Sequence, residues 1–491
     1  MKLRNMIWIG LVLACGAGCS DFLDVQPKDK QSEKQLFSTR GGFYMAVNGI
    51  YNKVASTALY GKNLSYELVD VISKRYSPLQ ANTYLTALSS FDYADNSVQT
   101  GLSNTWTEAY NTILNCNVVL DNLEKSDGVL LPAEYRMLKG EMLALRAFLH
   151  FDMLRLFGPV YKLHPEMESI PYNESSRVSA LPLLTADSVL HEKILRDLDE
   201  AERMLVDSDP VIEGGRMASQ EGDEDVYLRY RQLRMNYYAV LALKARVYLY
   251  AGEEAKALAV ARELLTDSKV DEYFPAVDPN KLLANQDNPD RVFSTEVLAG
   301  IYVKDRADIH SNYFSSEQAG NNYLHPRKNF VNMSLFAGET QDYRFQAWWR
   351  TASNESEGGY DFIKYEEIAK PTQAGETEYF YAVFMSLIRL SEVYYIAAEC
   401  EPVLADKYEW LNKMREHRGL SALTVVSDED FMKRLRMEYL REFMGEGQIF
   451  FMYKRLYAHL FSDENGNDAN AYEAREEYYV LPLPSGEIAN R

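Results

Sequence analysis

PAEYRMLKGEMLALRAFLHFDMLRLFG, residues 132–158, is the stretch that decides the fold. Its apolar side chains recur three and four residues apart, which is the period of one helix face. The positions are Leu138, Met142, Leu145, Leu149 and Met153. Pro132 suits the first turn of a helix, and Gly158 followed by Pro159 ends one. The stretch therefore predicts one long α-helix with a broad apolar face.

The same period recurs along most of the chain. Predicted helices are Gly42–Ala55, Thr105–Leu123, Ser188–Leu205, Leu233–Tyr250, Glu254–Leu265, Leu387–Glu401, Tyr408–Arg418, Asp428–Met444 and Gln448–Leu456. Several of them follow one another after short connections, and alanines recur where neighbours would touch. Short connections and recurring alanines are typical of tetratricopeptide-like helical hairpins, although no strict 34-residue repeat can be counted. We expect a mainly α fold in which helical hairpins form the scaffold.

Three segments lack the helical period. They are Tyr66–Asn104, Asp207–Tyr227 and Asp271–Tyr381. The last contains short β-rich runs, Val297–Val303 and Tyr360–Tyr365, between clusters of Asn, Asp, Gly and Pro. The second region of the chain is therefore predicted to be loop-rich with short strands. Loops of this length are uncommon unless they are functional, and binding residues concentrate on loops held by a rigid scaffold.

Composition and charge limit the classes of function. The chain has 491 residues, of which 47% are hydrophobic and 25% charged, as in globular proteins. Its net charge of −20 argues against a nucleic-acid partner, because phosphates require basic surfaces. Cys116 and Cys400 lie in helical patterns, and we interpret them as two buried thiols rather than one disulfide. The seven histidines form no metal-ligand motif, so no metal or cofactor is predicted.

The first residues resemble a targeting signal. Lys2 and Arg4 precede a short apolar run, and small residues lie directly before Cys19. We predict a signal peptide over residues 1–18, lipid attachment at Cys19 and a tether over residues 19–40. The alternative is an ordinary secretory signal cleaved nearby, with Cys19 incidental.

Seven segments together resemble one protein family. They are Cys19–Pro27, Gly140–Gly158, Ala242–Gly252, Ile388–Glu399, Leu411–Gly419, Arg441–Gln448 and Leu481–Pro484. In these segments and in their order the chain is similar to the SusD/RagB family of outer-membrane lipoproteins.

The resemblance implies a nutrient-binding protein that works with a SusC-type TonB-dependent transporter. It further implies a lipid-anchored location at the outer membrane, facing the exterior. Most members of the family capture oligosaccharides, some capture peptides, and none is expected to be a catalyst. Domain boundaries follow from it: a SusD-like N-terminal helical region over residues 41–270, with a loop insertion over 66–104, and a RagB/SusD-like C-terminal region over residues 271–491. We divide the latter into a loop-rich part (271–381), a helical part (382–460) and a tail.

Aromatic and amide side chains in the loops are the candidate ligand contacts, since exposed aromatic rings stack on sugar rings. The candidates are Tyr76, Tyr84, Tyr93, Asn96, Tyr313, Tyr323, Trp348 and Trp349. Adjacent residues point to different sides, so one of the two tryptophans is expected to be exposed even if the other is buried. Trp106 lies in a periodic helix and is assigned to the core.

Charged residues of the family segments are interpreted as scaffold. Glu141, Arg146, Glu392 and Glu399 are expected to pair with neighbouring helices. Glu442 and Glu446 could mimic a catalytic acid and base, but helix capping and pairing with Lys454 or Arg455 are favoured. The acidic run Asp463–Asp468 fails the calcium-loop spacing, because its glycine comes fourth instead of sixth.

The sequence therefore predicts a cell-surface lipoprotein that binds oligosaccharide or polysaccharide and is not an enzyme. An oligopeptide-binding member of the same family remains an alternative. A helical scaffold of a membrane complex that binds no ligand is the alternative from a different class.

Overall fold

The computed structural model describes residues 28–216, 226–284, 287–326, 330–353, 359–368, 380–460 and 472–489. The predicted signal peptide, Cys19 and the acidic run at 463–468 lie outside the described residues. The boundaries of the two predicted regions stay predictions.

The fold is mainly α, as predicted. In the described residues the helices of eight or more residues are α1 (Lys28–Leu36), α2 (Arg40–Val54), α5 (Asn96–Leu123), α6 (Pro132–Phe157), α7 (Leu195–Leu205), α9 (Tyr237–Ala251), α10 (Glu254–Thr266), α13 (Leu390–Cys400), α14 (Leu404–Glu416), α15 (Asp428–Phe443) and α16 (Ile449–Leu456). Shorter helices are α3 (Leu68–Ile72), α4 (Thr83–Ser89), α8 (Val211–Gly214), α11 (Ser268–Tyr273), α12 (Tyr343–Trp348), α17 (Glu476–Tyr479) and α18 (Ser485–Ala489).

Consecutive long helices pack against each other. The packed pairs include α5 with α6, α6 with α7, α9 with α10, and α13 with α14. Helix α6 is the most buried element, because it is covered on all sides from Leu138 to Phe157, apart from one partly exposed position before Gly140. A helix that is covered all round belongs at the centre of a domain. The stretch that predicts the fold is thus a buried helix that packs mainly between α5 and α7.

The first insertion is more regular than predicted. Residues 66–104 contain α3, α4, the beginning of α5 and the strand β1 (Tyr76–Pro78). Asn82 caps α4 by accepting the Leu85 N–H, and Asp95 caps α5 by accepting the Ser97 and Val98 N–H groups. The prediction of little helical structure was wrong here, because polar residues that look like loop composition serve as N-caps.

Six short strands form three two-stranded antiparallel sheets in the described residues. Strand β2 (Val297–Tyr302) pairs with β6 (Phe384–Arg389), and β4 (Trp349–Thr351) pairs with β5 (Tyr360–Phe362). The two predicted β-rich runs are confirmed. The predicted helix over Leu387–Glu401 begins too early, because residues up to Arg389 belong to β6 and the helix begins at Leu390.

The third sheet joins two parts of the chain that are far apart in sequence. Strand β1 pairs with β3 (Leu324–Pro326), so that Tyr76 faces Pro326 and Pro78 faces Leu324. The first insertion and the loop-rich region therefore meet at this sheet.

Ion pairs lock the helices of the family segments together, as predicted. Glu141 pairs with Arg231, and Arg146 pairs with Asp197 at 2.6 Å. Arg246 pairs with Glu392 at 2.6 Å, and Arg455 pairs with Glu399 at 2.8 Å. Each pair joins segments that are more than fifty residues apart in sequence. The charged residues are scaffold, and a buried pair of this kind contributes to the choice of one arrangement rather than to net stability.

Glu442 on α15 is the centre of the largest buried ionic cluster that we describe. Its Oε2 accepts from Arg344 Nη1 at 2.9 Å and from Arg418 Nε at 3.0 Å. Its Oε1 accepts from Arg418 Nη2 at 2.6 Å and from Arg389 Nη1. Burial would raise the pKa of Glu442, but the three arginines outweigh burial and hold the pKa well below its usual range.

The partners predicted for Glu442 and Glu446 were wrong. Glu446 accepts from Lys364 Nζ, whereas Lys454 donates to the backbone carbonyl of Gly158 at 2.7 Å. These contacts join helices and strands that are far apart in sequence, so spacing along one helix does not reveal them. Both carboxylates are thus held by buried cations, Glu442 by three arginines and Glu446 by Lys364 and Arg389.

The two remaining cysteines of the described residues, Cys116 and Cys400, are buried free thiols, as predicted. Trp106 is 5% exposed and belongs to the core, also as predicted. Within the described ranges, every helix is too short or too polar to cross a lipid bilayer.

Two glycines allow a test of the helix boundaries. Gly252 ends α9 with φ of +77°, whereas Gly49 lies inside α2, and a Cβ would meet no atom within 4 Å at either position. We expect Gly252→Ala to lower the free energy of unfolding by about 1–2 kcal/mol, because alanine is strained at positive φ. Gly49→Ala should raise it by about 0.5–1 kcal/mol. Urea denaturation measures both, and shifts in the same direction would contradict the assignment.

Candidate functional site

The pairing of β1 with β3 brings two of the predicted clusters of polar and aromatic residues together. Asn82 Nδ2 donates to Asn322 Oδ1 at 3.0 Å across 240 residues of sequence, and this bond lies at the surface. Tyr84 follows Asn82 on α4, and Tyr313 lies in a short π-helical turn, His310–Phe314, before Asn322. We call the surface formed by Asn82, Tyr84, Tyr313 and Asn322 the junction face.

Tyr84 is held by a carboxylate on the junction face. Its hydroxyl donates to Glu67 Oε2 at 3.4 Å, and Lys62 Nζ donates to the same oxygen at 2.8 Å. The ring lies over α5 at Gly101, where a Cβ would be only 3.2 Å from the Tyr84 hydroxyl oxygen. The tyrosine is partly exposed, and the contacts of its hydroxyl with Glu67 and of its ring with α5 fix its orientation.

Tyr313 is also partly exposed. Its ring packs edge-on against the buried Tyr66, with ring centres 5.3 Å apart. Burial and the charge of Glu67 raise the pKa of Tyr313 to about 12. Burial, Glu67 and Tyr313 likewise raise the pKa of Tyr84, which places the three side chains within electrostatic range. Both hydroxyls therefore keep their protons at neutral pH and can donate hydrogen bonds.

Four candidate residues are buried, and their assignment as ligand contacts was wrong. Tyr76 is 1% exposed and donates to Asp70 Oδ2 at 3.3 Å, and Tyr323 is 2% exposed and donates to Asp361 Oδ1 at 2.7 Å. Trp348 and Trp349 are 0% and 6% exposed. Adjacent residues do point to different sides, but the chain is covered on both sides at this position. Trp348 stacks on Phe293, and Trp349 packs on Phe362.

Tyr93 and Asn96 lie in a different neighbourhood. The Tyr93 hydroxyl donates to the backbone carbonyl of Tyr478 at 2.9 Å, so the tail holds this side chain. Asn96 is exposed at the beginning of α5. Their role as ligand contacts stays a prediction, as it does for Tyr84 and Tyr313.

Sequence reasoning missed Lys62 and Glu67. The two are five residues apart, which is not a spacing that predicts contact in a helix, and a turn brings them together. They are linked to the junction face only by the contact of Glu67 with Tyr84.

The junction face offers partly exposed aromatic faces, the hydroxyl groups of two tyrosines, of which that of Tyr84 already donates to Glu67, and two amide groups. Such a set can stack on one face of a sugar ring and form hydrogen bonds with its hydroxyls. Among the residues that the structure describes, His, Cys, Asp and Glu form no group of three or more that could hold a metal ion. The geometry suits recognition of the hydroxyl groups of a polar ligand.

Two family profiles match the chain. A profile described as "starch-binding associating with outer membrane" matches residues 21–218, and the profile of the SusD family matches residues 349–490. A SusD-like protein of Formosa agariphila is 22% identical over 321 residues, which are 62% of this chain. The chain spans 53% of the length of that curated relative.

Solved structures share the fold. A SusD superfamily protein of Bacteroides thetaiotaomicron has a TM-score of 0.68 at 20% identity, covering 92% of this chain and 98% of its own. The surface glycan-binding protein A of the same organism, in complex with laminarihexaose, has a TM-score of 0.65 at 18% identity, covering 92% and 98%.

Proposed function

Because this chain belongs to the SusD/RagB family, we propose that it binds oligosaccharide or polysaccharide nutrients at the cell surface and passes them to a SusC-type TonB-dependent transporter in the outer membrane. Lipid attachment at Cys19 would hold it there. The observation that carries the proposal is the junction face, where Tyr84 and Tyr313 lie within electrostatic range of each other and the Asn82–Asn322 bond joins the two segments.

Tyr84 and Tyr313 supply the stacking part of the proposed site. Both rings are partly exposed and are packed from behind, Tyr84 over Gly101 and Tyr313 against Tyr66. Little side-chain freedom is lost when such a ring receives a ligand, because its orientation is already fixed. Rigid aromatic faces are therefore suited to sugar rings, whose C–H groups lie on one side.

The amides and hydroxyls supply the directional part. The bond from Asn82 to Asn322 uses one donor of Asn82 and the carbonyl oxygen of Asn322 as acceptor. Each of the two amides has further hydrogen-bonding capacity. Sugar hydroxyls both donate and accept, so they complement this mixture of groups. The complex of a structurally similar protein with laminarihexaose supports a glycan as the ligand class.

Removal of the two tyrosines should weaken glycan binding. We expect the protein to be retarded in native gels that contain one member of a panel of laminarin, starch, mannan and pectin. Tyr84→Ala combined with Tyr313→Ala should weaken the affinity at least tenfold, which corresponds to about 1.4 kcal/mol, because two stacking surfaces are lost.

Tyr135 gives a matched control for this experiment. It is partly buried, its hydroxyl donates to Glu124 at 3.0 Å and Lys139 donates to the same carboxylate at 2.7 Å, so it reproduces the Tyr84–Glu67–Lys62 arrangement on the helical scaffold. Tyr135→Ala should leave the retardation unchanged. Equal loss in both variants, or no loss in the double variant, would remove the junction face as the binding site.

A further inference from the structure

Three basic side chains gather around one carboxylate in the loop-rich region. Glu366 Oε1 lies 2.7 Å from Arg350 Nη1, and Glu366 Oε2 lies 3.2 Å from Arg291 Nη2. His310 Nε2 lies 4.0 Å from Glu366 Oε1, which is too far for a hydrogen bond. We call Arg291, His310, Arg350 and Glu366 the basic cluster.

Two nitrogen atoms of the basic cluster have no acceptor. Arg291 Nη1 and His310 Nε2 are both buried atoms without a hydrogen-bond partner in the described part of the chain. His310 as a whole is 8% exposed. A buried donor without an acceptor costs about 1–3 kcal/mol, so an acceptor that entered here would relieve that cost. Such unsatisfied groups are rare in folded proteins and require an explanation.

The charge of the basic cluster is positive. Two guanidinium groups face one carboxylate, and the other carboxylate near His310, that of Asp361, accepts from Ser316 Oγ at 3.0 Å and from Tyr323. Burial lowers the pKa of His310, although Glu366 opposes this effect, so the imidazole is neutral at neutral pH. The four residues of the basic cluster thus carry two guanidinium groups against one carboxylate, and the Asp361 carboxylate is a further negative charge close to His310.

The basic cluster is accessible and lies close to the junction face. The side chain of Arg350 is 49% exposed, so the cluster opens to solvent at this arginine. His310 and Tyr313 belong to the same short π-helical turn, three residues apart. The basic cluster and the junction face thus each take one residue from this turn.

We propose that the basic cluster binds the oxyanion of an acidic saccharide, a carboxylate or a sulfate ester, received by Arg291 Nη1, His310 Nε2 and Arg350. Guanidinium groups suit this ligand because their planar donor pairs match two oxygens of one anion. The inference rests on the proposed function, since the same saccharide is expected to lie on the junction face.

Three monosaccharides that differ in one substituent test the inference. D-glucose, D-glucuronate and D-glucose 6-sulfate are titrated into the purified protein and followed by saturation-transfer NMR. We expect at least one of the two anionic sugars to bind about tenfold more tightly than glucose, because a charge-assisted hydrogen bond is worth about 1.5–3 kcal/mol. The difference should shrink at 1 M NaCl, since Arg350 is partly exposed to salt. Whichever anion gains affinity identifies the source of the oxyanion.

Arg262 provides a matched control variant. Its side chain is 49% exposed, like that of Arg350, and it pairs with a buried carboxylate, Glu401, at 2.6 Å. Arg350→Gln should abolish the preference for the anion, and Arg262→Gln should leave it unchanged.

The two proposals fail in different ways. Equal affinity for the three sugars, or equal effects of the two arginine variants, would overturn the inference and leave water as the partner of the buried donors. In that case polysaccharide retardation that depends on Tyr84 and Tyr313 would still support the proposed function. Absence of that retardation would count against the proposed function instead, whatever the anion result.

Discussion

Glu442→Gln should lower the free energy of unfolding by about 3–5 kcal/mol, the cost of removing one charge from a buried ionic cluster. Glutamine has nearly the same shape, so the packing of α15 is kept. It lacks the negative charge that Arg344, Arg389 and Arg418 share, and its NH₂ group would point at a guanidinium. Chemical denaturation with urea at pH 7 measures the loss.

A second glutamate on the same helix serves as the control for this variant. The side chain of Glu429 is 81% exposed and pairs with Lys433 one turn later. Glu429→Gln should change the free energy of unfolding by less than about 0.5 kcal/mol, as for most surface pairs. If the two variants differ by less than about 1 kcal/mol, the three arginines are satisfied without Glu442 and our account of the cluster is wrong.

Asp70→Asn should change how stability depends on pH. Asp70 is fully buried on α3, where its Oδ2 accepts the Gly445 N–H at 2.6 Å and its Oδ1 has no partner. Burial raises the pKa of Asp70 to about 7, although the hydrogen bond from Gly445 has the opposite effect on this pKa. The folded protein therefore binds this proton more tightly than the unfolded chain does.

The sign of the pH effect follows from this raised pKa. Between pH 4 and 7 the folded state binds more protons than the unfolded state does. The stabilising contribution of protonated Asp70 to the free energy of unfolding is therefore fully present below pH 4 and is lost as the pH rises through 7. Asparagine does not titrate. Between pH 5 and pH 8 the free energy of unfolding of the wild-type protein should therefore fall by about 2–3 kcal/mol relative to that of Asp70→Asn.

Denaturation curves at the two pH values test this expectation. Asp305 is an exposed aspartate, and Asp305→Asn should follow the pH profile of the wild type. A constant difference between Asp70→Asn and the wild type from pH 5 to pH 8 would mean that Asp70 titrates normally.

The helices could be predicted from the sequence because their apolar period is local. Helix α6 begins and ends where Pro132 and Gly158 predict. The beginning of α13 could not be predicted, since Phe384–Arg389 is a run buried on both faces that pairs with β2. A short buried strand and the first turn of a buried helix have the same composition.

The candidate site was predicted only in part, for a different physical reason. Tyr84 and Tyr313 are partly exposed and within electrostatic range of each other, but Trp348 and Trp349 are covered on both sides by Phe293 and Phe362. Exposure depends on which distant segments cover a residue, and the alternation along a strand does not contain that information. The basic cluster was missed for the same reason, because Arg291, His310 and Glu366 come from three separate loops.

The Asn82–Asn322 bond has a consequence for biosynthesis and for work with fragments. Its partners leave the ribosome 240 residues apart, so the nascent chain carries only part of the junction face, the proposed recognition surface, until about two-thirds of it has emerged. Contacts between such distant positions form slowly compared with local helices. Amino-terminal fragments that end before Asn322 are therefore expected to lack carbohydrate affinity, however well their helices fold. A screen for this affinity requires the chain at least as far as Pro326, the end of β3.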